Sequence, residues 1–99
     1  MAAYFMNSYD IVDEEQFSKY PPLVIPLLKR YGAEVVAADV DGIVIEGKPK
    51  KMNAIIKFPS VDAALKCYSD PEYQPMKEIR INSTANCTVV LVKEFEGNT

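Results

Sequence analysis

The chain has 99 residues, 48% of them hydrophobic and 25% charged, with 11 Lys+Arg against 14 Asp+Glu and a net charge of −3. That size suits one compact domain, residues 1–99 with 94–99 as a tail, and leaves no room for two, while the apolar content excludes a disordered chain. With no histidine, the commonest general base and the commonest transition-metal ligand are missing, and no metal or other cofactor is expected. The only basic cluster, Lys48, Lys50 and Lys51, is too short for a nucleic-acid face.

Tyr4 to Val12 reads as a central strand with Asn7 and Ser8 as polar interruptions. Asp13 is placed to cap a helix, and Gln16 three residues on suits a capping box. Phe17, Tyr20, Val24, Leu27, Leu28 and Tyr31 form one apolar stripe. Pro21, Pro22 and Pro26 argue against a straight helix, so a break is expected near Tyr20, with helix resuming to about Arg30. Gly32 suits a left-handed terminator.

Ala33 to Val40 is strand-like, and Asp41-Gly42 signals a turn before a second strand at Ile43-Val44-Ile45. Gly47 to Lys51 is an exposed loop. Met52 to Phe58 is the next strand, with Met52, Ala54, Ile56 and Phe58 on one face. Ser60 caps a helix through Val61, Ala64, Leu65 and Tyr68. Asp70-Pro71-Glu72 starts another that turns Tyr73, Met76 and Ile79 inward, with Arg80 close to the same stripe. Asn82 to Asn86 reads as a polar loop, Thr88 to Val92 as the last strand.

The order is β-α-β-β-α-β, which most economically forms one antiparallel sheet with the helices on one face, an α+β, ferredoxin-like arrangement. Its other face would be apolar and uncovered; Phe5, Val36, Ile56 and Val90 are candidates for sheet-centre positions. Such a face needs a partner, and a second copy of the chain is the simplest one. The N-terminus lacks the basic and apolar regions of a signal peptide, and no apolar run is long enough to span a membrane. A reduced cytoplasmic setting with Cys67 and Cys87 as free thiols is expected.

Phe58-Pro59-Ser60, Ala63-Ala64, Tyr68 to Gln74 and Arg80, with Ala3-Tyr4, Asp13, Phe17, Tyr20 and Tyr31-Gly32, resemble the family known as domain of unknown function 1330. The resemblance covers roughly residues 2 to 93. It implies membership of the dimeric α+β barrel superfamily, whose members include small monooxygenases, lactone isomerases and haem-handling enzymes. They commonly place a pocket between the sheet and the helices of each subunit. Fold analogy is a weak warrant for chemistry, and the missing histidines count against haem.

The candidate ligand-binding residues are Arg80, Asn7, Tyr68, Tyr73 and Asp39. A guanidinium near an apolar stripe needs a partner: a ligand carboxylate, or a structural ion pair with Asp10, Asp39 or Glu72. Asn7 needs hydrogen bonds inside a central strand. Tyr68 and Tyr73 offer phenols but equally suit plain packing. Asp39 and Asp41 could act as a carboxylate pair, or simply as solvated turn residues. Cys67 suits a core position, and Cys87 has no basic neighbour in sequence that would activate it. The leading functional reading is a homodimer that binds a small apolar or carboxylate-bearing metabolite within each subunit. Cofactor-independent acid-base or oxygen chemistry might follow binding, and whether the chain is an enzyme stays open. The alternative is a non-catalytic dimeric binding or regulatory module. A redox role through either thiol ranks third.

Overall fold

The computed structural model describes residues 1–97. Among these the order is β1 (Ala3–Ile11), α1 (Glu14–Phe17), α2 (Tyr20–Arg30), β2 (Glu34–Asp39), β3 (Met52–Phe58), α3 (Val61–Ser69), α4 (Tyr73–Ser83) and β4 (Thr84–Lys93). The strands form one antiparallel sheet in the order β2-β3-β1-β4. Helices packed on one face make this a ferredoxin-like α+β fold, and the chain measures 43 × 37 × 17 Å, a slab one sheet and one helix layer deep. Of the expected tail, residues 94–97 lie in no element, and Asn98 and Thr99 fall outside the described residues.

Local chemistry sets the boundaries. Asp13 caps α1 by accepting from the Gln16 N–H at 3.0 Å. Its own N–H donates to the Ser83 carbonyl at 3.2 Å, so the reciprocal half of a capping box is replaced by a bond to α4. The helix break falls at Ser18-Lys19, just before Tyr20. Pro21 and Pro22 then occupy the first turn of α2, where N–H groups lack helical acceptors in any case. Pro26 removes one bond from inside α2. Burial of Val24, Leu27 and Leu28 in the core offsets that loss, at about 1.5–3 kcal/mol per fully buried large aliphatic. Gly32, at φ +71°, ends the helix. A Cβ there would also sit 3.3 Å from Pro59 Cγ. Ser60 caps α3 through the Ala63 N–H at 3.0 Å.

The structure differs from the sequence expectation at three places. Ile43-Val44-Ile45 is not a strand: β2 pairs with β3 directly, and the apolar triplet lies in an exposed loop, with Ile43 91% and Ile45 86% accessible. The triplet joins no ladder, and the outer edge of β2 stays open. Asp70-Pro71-Glu72 is a turn rather than the first turn of a helix; Asp70 accepts from the Glu72 N–H at 2.8 Å, and α4 begins at Tyr73 with Pro75 in its first turn. The polar segment 82–86 is not a loop. Helix α4 passes straight into β4, because the Ser83 hydroxyl donates to the Ile79 carbonyl and the Thr84 hydroxyl to the Arg80 carbonyl, each at 2.6 Å. These bonds occupy helix-end carbonyls that a loop would leave to water.

Register assigns the faces. Phe5 pairs with Ile56 and Leu91, and Met6 with Ile55 and Val90. Phe5 and Ile56 therefore face the helices, where Phe5 packs edge-on against Phe58 at 5.2 Å. Val90 lies on the open face with the exposed Met6. Val36 sits at an irregularity in the edge strand β2. The four candidate sheet-centre residues thus divide between faces, and the uncovered one presents Met6, Ile55, Val90 and Val92. Among the described residues no helix is long and apolar enough to cross a membrane.

Candidate functional site

Between the sheet and the helices lies a cavity of about 30 Å³, walled by Phe5, Ile56, Phe58, Val24 and Leu28 and bearing Asn7, Tyr20, Tyr68, Tyr73, Cys67 and Arg80. Strand alternation brings Asn7 here, two residues from Phe5 on the helix-facing side of β1. Seven residues separate Tyr73 from Arg80, two turns of α4, which puts both on one stripe.

Arg80 decides the character of the cavity. It is 4% exposed, and no carboxylate of the described residues forms an ion pair with it. Each partner weighed from sequence is engaged elsewhere. Glu72 pairs with Arg30. Asp10 accepts from the Lys51 N–H at 3.0 Å and the Asn86 amide at 3.1 Å, and Asp39 accepts from the Asp41 N–H at 2.8 Å. Arg80 instead donates from Nη1 to Cys87 Sγ at 2.9 Å. Burial works against its charge, but Tyr73, Tyr20 and the Cys87 sulfur hold its pKa above the ordinary arginine value. A fixed positive charge thus lies at the wall of an apolar cavity, with most of its five donors uncommitted.

Polar groups gather round it. The Tyr20 and Tyr73 hydroxyls share a 2.8 Å hydrogen bond. Burial, then the neighbouring Tyr73, pushes the Tyr20 phenol well above its usual range. Tyr9 beside them is pushed up to about 12, again by burial. Tyr68 stacks between Phe5 and Tyr73, at 5.9 and 5.4 Å, with the Lys77 ammonium 5.1 Å from its ring centre. Asn7 Oδ1 is buried without a hydrogen-bond partner. A buried amide oxygen left unpaired costs about 1–3 kcal/mol, so it marks a place where a donor is wanted.

Of the sequence candidates, Arg80, Asn7, Tyr68 and Tyr73 converge on this cavity. Asp39 does not join them; it lies at the end of β2, paired with Asn53, beside the open sheet face. Two participants were absent from the candidate set. Tyr20 reads from sequence only as a member of an apolar stripe. Cys87 comes within reach of Arg80 through an irregularity where β4 meets β1 between Ser8 and Asp10, with Asn86 at φ +56°, a feature no short-range pattern announces. Cys67, by contrast, is a buried thiol whose pKa burial raises to about 11.

Comparison with known proteins decides the family. The model for "domain of unknown function (DUF1330)" matches residues 2–95. The chain belongs to this family. No curated protein matches it. Among solved structures, a protein of unknown function from Rhodopseudomonas palustris is similar at 18% identity and TM-score 0.81, over 96% of this chain and 83% of that one. A dimeric ferredoxin-like protein of unknown function from Jannaschia sp. aligns at 10% identity and TM-score 0.75, over 95% and 100%. SnoaB, a cofactor-independent oxygenase from Streptomyces nogalater, aligns at 12% identity and TM-score 0.65, over 98% and 96%. At such identities the likeness concerns the fold.

Proposed function

We propose that this DUF1330 protein binds a small carboxylate-bearing ligand between its sheet and helices. Arg80 anchors the carboxylate; Asn7, Tyr20 and Tyr73 orient it. The observation that carries this reading is the Arg80 guanidinium, buried and without an acidic partner, facing an apolar wall. Burying a charge is costly unless it is paired, and an incoming carboxylate supplies the pair with two parallel hydrogen bonds. The raised pKa values of Tyr20 and Cys67 leave both protonated at neutral pH. They offer donors and a fixed charge rather than a ready base. Should chemistry follow binding, as in the oxygenase SnoaB, Arg80 is positioned to stabilise an enolate or similar developing anion.

The working unit in this reading is a homodimer formed through the open face around Met6, Ile55 and Val90, in keeping with the dimeric neighbours. A thermal-shift screen of small carboxylates on wild type and Arg80→Met tests the ligand reading, since a ligand of the native state raises Tm. Stabilisation confined to wild type supports it; equal or absent shifts refute it. Sedimentation at micromolar concentration tests the dimer, and a mass near 11.1 kDa would refute that part.

A second reading rests on its own observation. The exposed Ile43-Val44-Ile45 triplet is an apolar patch in the loop between β2 and β3, as a partner-binding module would present. Unchanged association with other proteins after its replacement by serines would count against it.

A further inference from the structure

The wall of the Arg80 cavity continues into a second hollow. Asn7, Tyr20 and Ile56 line both. The second hollow, about 140 Å³, runs beneath α2 toward the edge strand β2, where the exposed Ile25, Val35 and Ala38 rim its open mouth. The two differ in size and character. The Arg80 cavity, about 30 Å³, is a few times smaller than a cavity that admits a ring, and so holds little more than an ionic head. The second hollow is close to the roughly 150 Å³ of an apolar cavity known to admit benzene. At the junction stands Asn7, whose Oδ1 has no hydrogen-bond donor.

Resting on the reading that Arg80 holds a carboxylate, we propose that both hollows form one site for a hydroxylated monocarboxylate with a single ring or a branched chain of that bulk. The carboxylate meets Arg80, the apolar body fills the hollow under α2, and a hydroxyl near the carboxylate donates to Asn7 Oδ1. Size and polarity both select. A second carboxylate would lie against Val24, Leu28 and Ile56 with no cation to receive it, and a long acyl chain would exceed the hollow. Ala38 and Val35, exposed on β2, form the rim through which the ring lies against the sheet.

Calorimetric titration with three probes separates this proposal from the reading beneath it. Acetate needs only Arg80; 3-phenylpropanoate adds the ring; 2-hydroxy-3-phenylpropanoate adds the hydroxyl. Expected affinities rise roughly tenfold or more from the first to the second, from the apolar surface buried. A further rise of roughly fivefold follows from pairing the orphan amide oxygen. Ala38→Phe, and independently Val35→Phe, should abolish the ring's advantage while leaving acetate unchanged, and Asn7→Leu should abolish the hydroxyl's. Acetate binding that Arg80→Met removes, without a ring or hydroxyl advantage, overturns this proposal and leaves the Arg80 reading standing. A ring advantage that both rim variants leave intact also overturns it. Binding indifferent to Arg80→Met, or no binding of any probe, overturns both.

Discussion

Arg80→Met separates a binding residue from a structural one by the sign of its effect on stability. Arg80 is 4% exposed and unpaired with any carboxylate of the described residues. Withdrawing such a charge from water costs several kcal/mol even after the protein relaxes. Hydrogen bonds made by a charged group return about 1.5–3 kcal/mol each. Here the acceptors are a sulfur at 2.9 Å, a weak acceptor, and the Tyr73 hydroxyl, so the return falls at the low end. The Tyr73, Tyr20 and Cys87 contacts that raise the Arg80 pKa act in full only when those groups are anionic. At neutral pH, where Tyr20 is protonated, the balance leaves the unliganded protein strained by about 1–3 kcal/mol, the scale on which replacing buried ion pairs by apolar residues of similar volume is stabilising. Methionine keeps the unbranched stem, and the Tyr20–Tyr73 bond survives without the guanidinium. The variant should therefore unfold at higher urea. Its Tm should rise by roughly 4–24 °C, given about 4–8 °C per kcal/mol for a domain of this length. The chain has no tryptophan, so far-UV circular dichroism at matched protein concentration is the suitable signal. A loss of more than about 1 kcal/mol would show that the contacts to Cys87 and Tyr73 outweigh the buried charge, and would refute the reasoning that Arg80 awaits a ligand.

Other outcomes follow from single contacts. In the native protein a disulfide-exchange reagent at pH 8 should modify exposed Cys87 promptly and Cys67 only on unfolding, because Cys67 is buried with its pKa near 11; rapid reaction of both thiols would contradict the packing. Asp70 is held below the ordinary 3.8 by the Tyr31 hydroxyl and then by the Glu72 N–H. Its folded pKa being the lower one, its contribution is full above about pH 4 and disappears as pH falls through the folded value. Urea midpoints between pH 6 and 2 should therefore decline less steeply in Asp70→Asn than in wild type, and parallel curves would contradict the assignment. Gly32→Ala should cost about 1–2 kcal/mol, since it forces a side chain into left-handed backbone 3.3 Å from Pro59 Cγ; an unchanged urea midpoint would contradict this.

Elements held by local chemistry were legible before the structure: the caps Asp13 and Ser60, the terminator Gly32, and β3 with its alternating apolar face. What escaped depends on particular bonds and pairings that composition does not reveal. Ile43-Val44-Ile45 has strand composition, but β2 pairs directly with β3 and the triplet pairs with neither strand. The run from Asn82 to Asn86 has loop composition, yet Ser83 and Thr84 spend their hydroxyls on the end of α4 and allow β4 to start at once. Arg80 and Asn7 stand out as polar residues within an apolar pattern, and Tyr68 and Tyr73 as phenols at the ends of the segment that carries the family resemblance. Asp39 stands out as half of a carboxylate pair with Asp41, but the shift of register between Val35 and Ala37 leaves it away from the cavity. Cys87 has no basic neighbour in sequence; its basic neighbour, Arg80, comes from another element.

The most direct test of a carboxylate at Arg80 is to observe its guanidinium. Arg30 and Arg80 are the only arginines, and Arg30 is exposed and already paired with Glu72, which makes it an internal control. In nuclear magnetic resonance titrations with acetate and with 3-phenylpropanoate, the Arg80 Nε–H signal should move saturably while that of Arg30 stays in place. Equal, non-saturating drift of both signals, or a stationary Arg80 signal, would contradict the account.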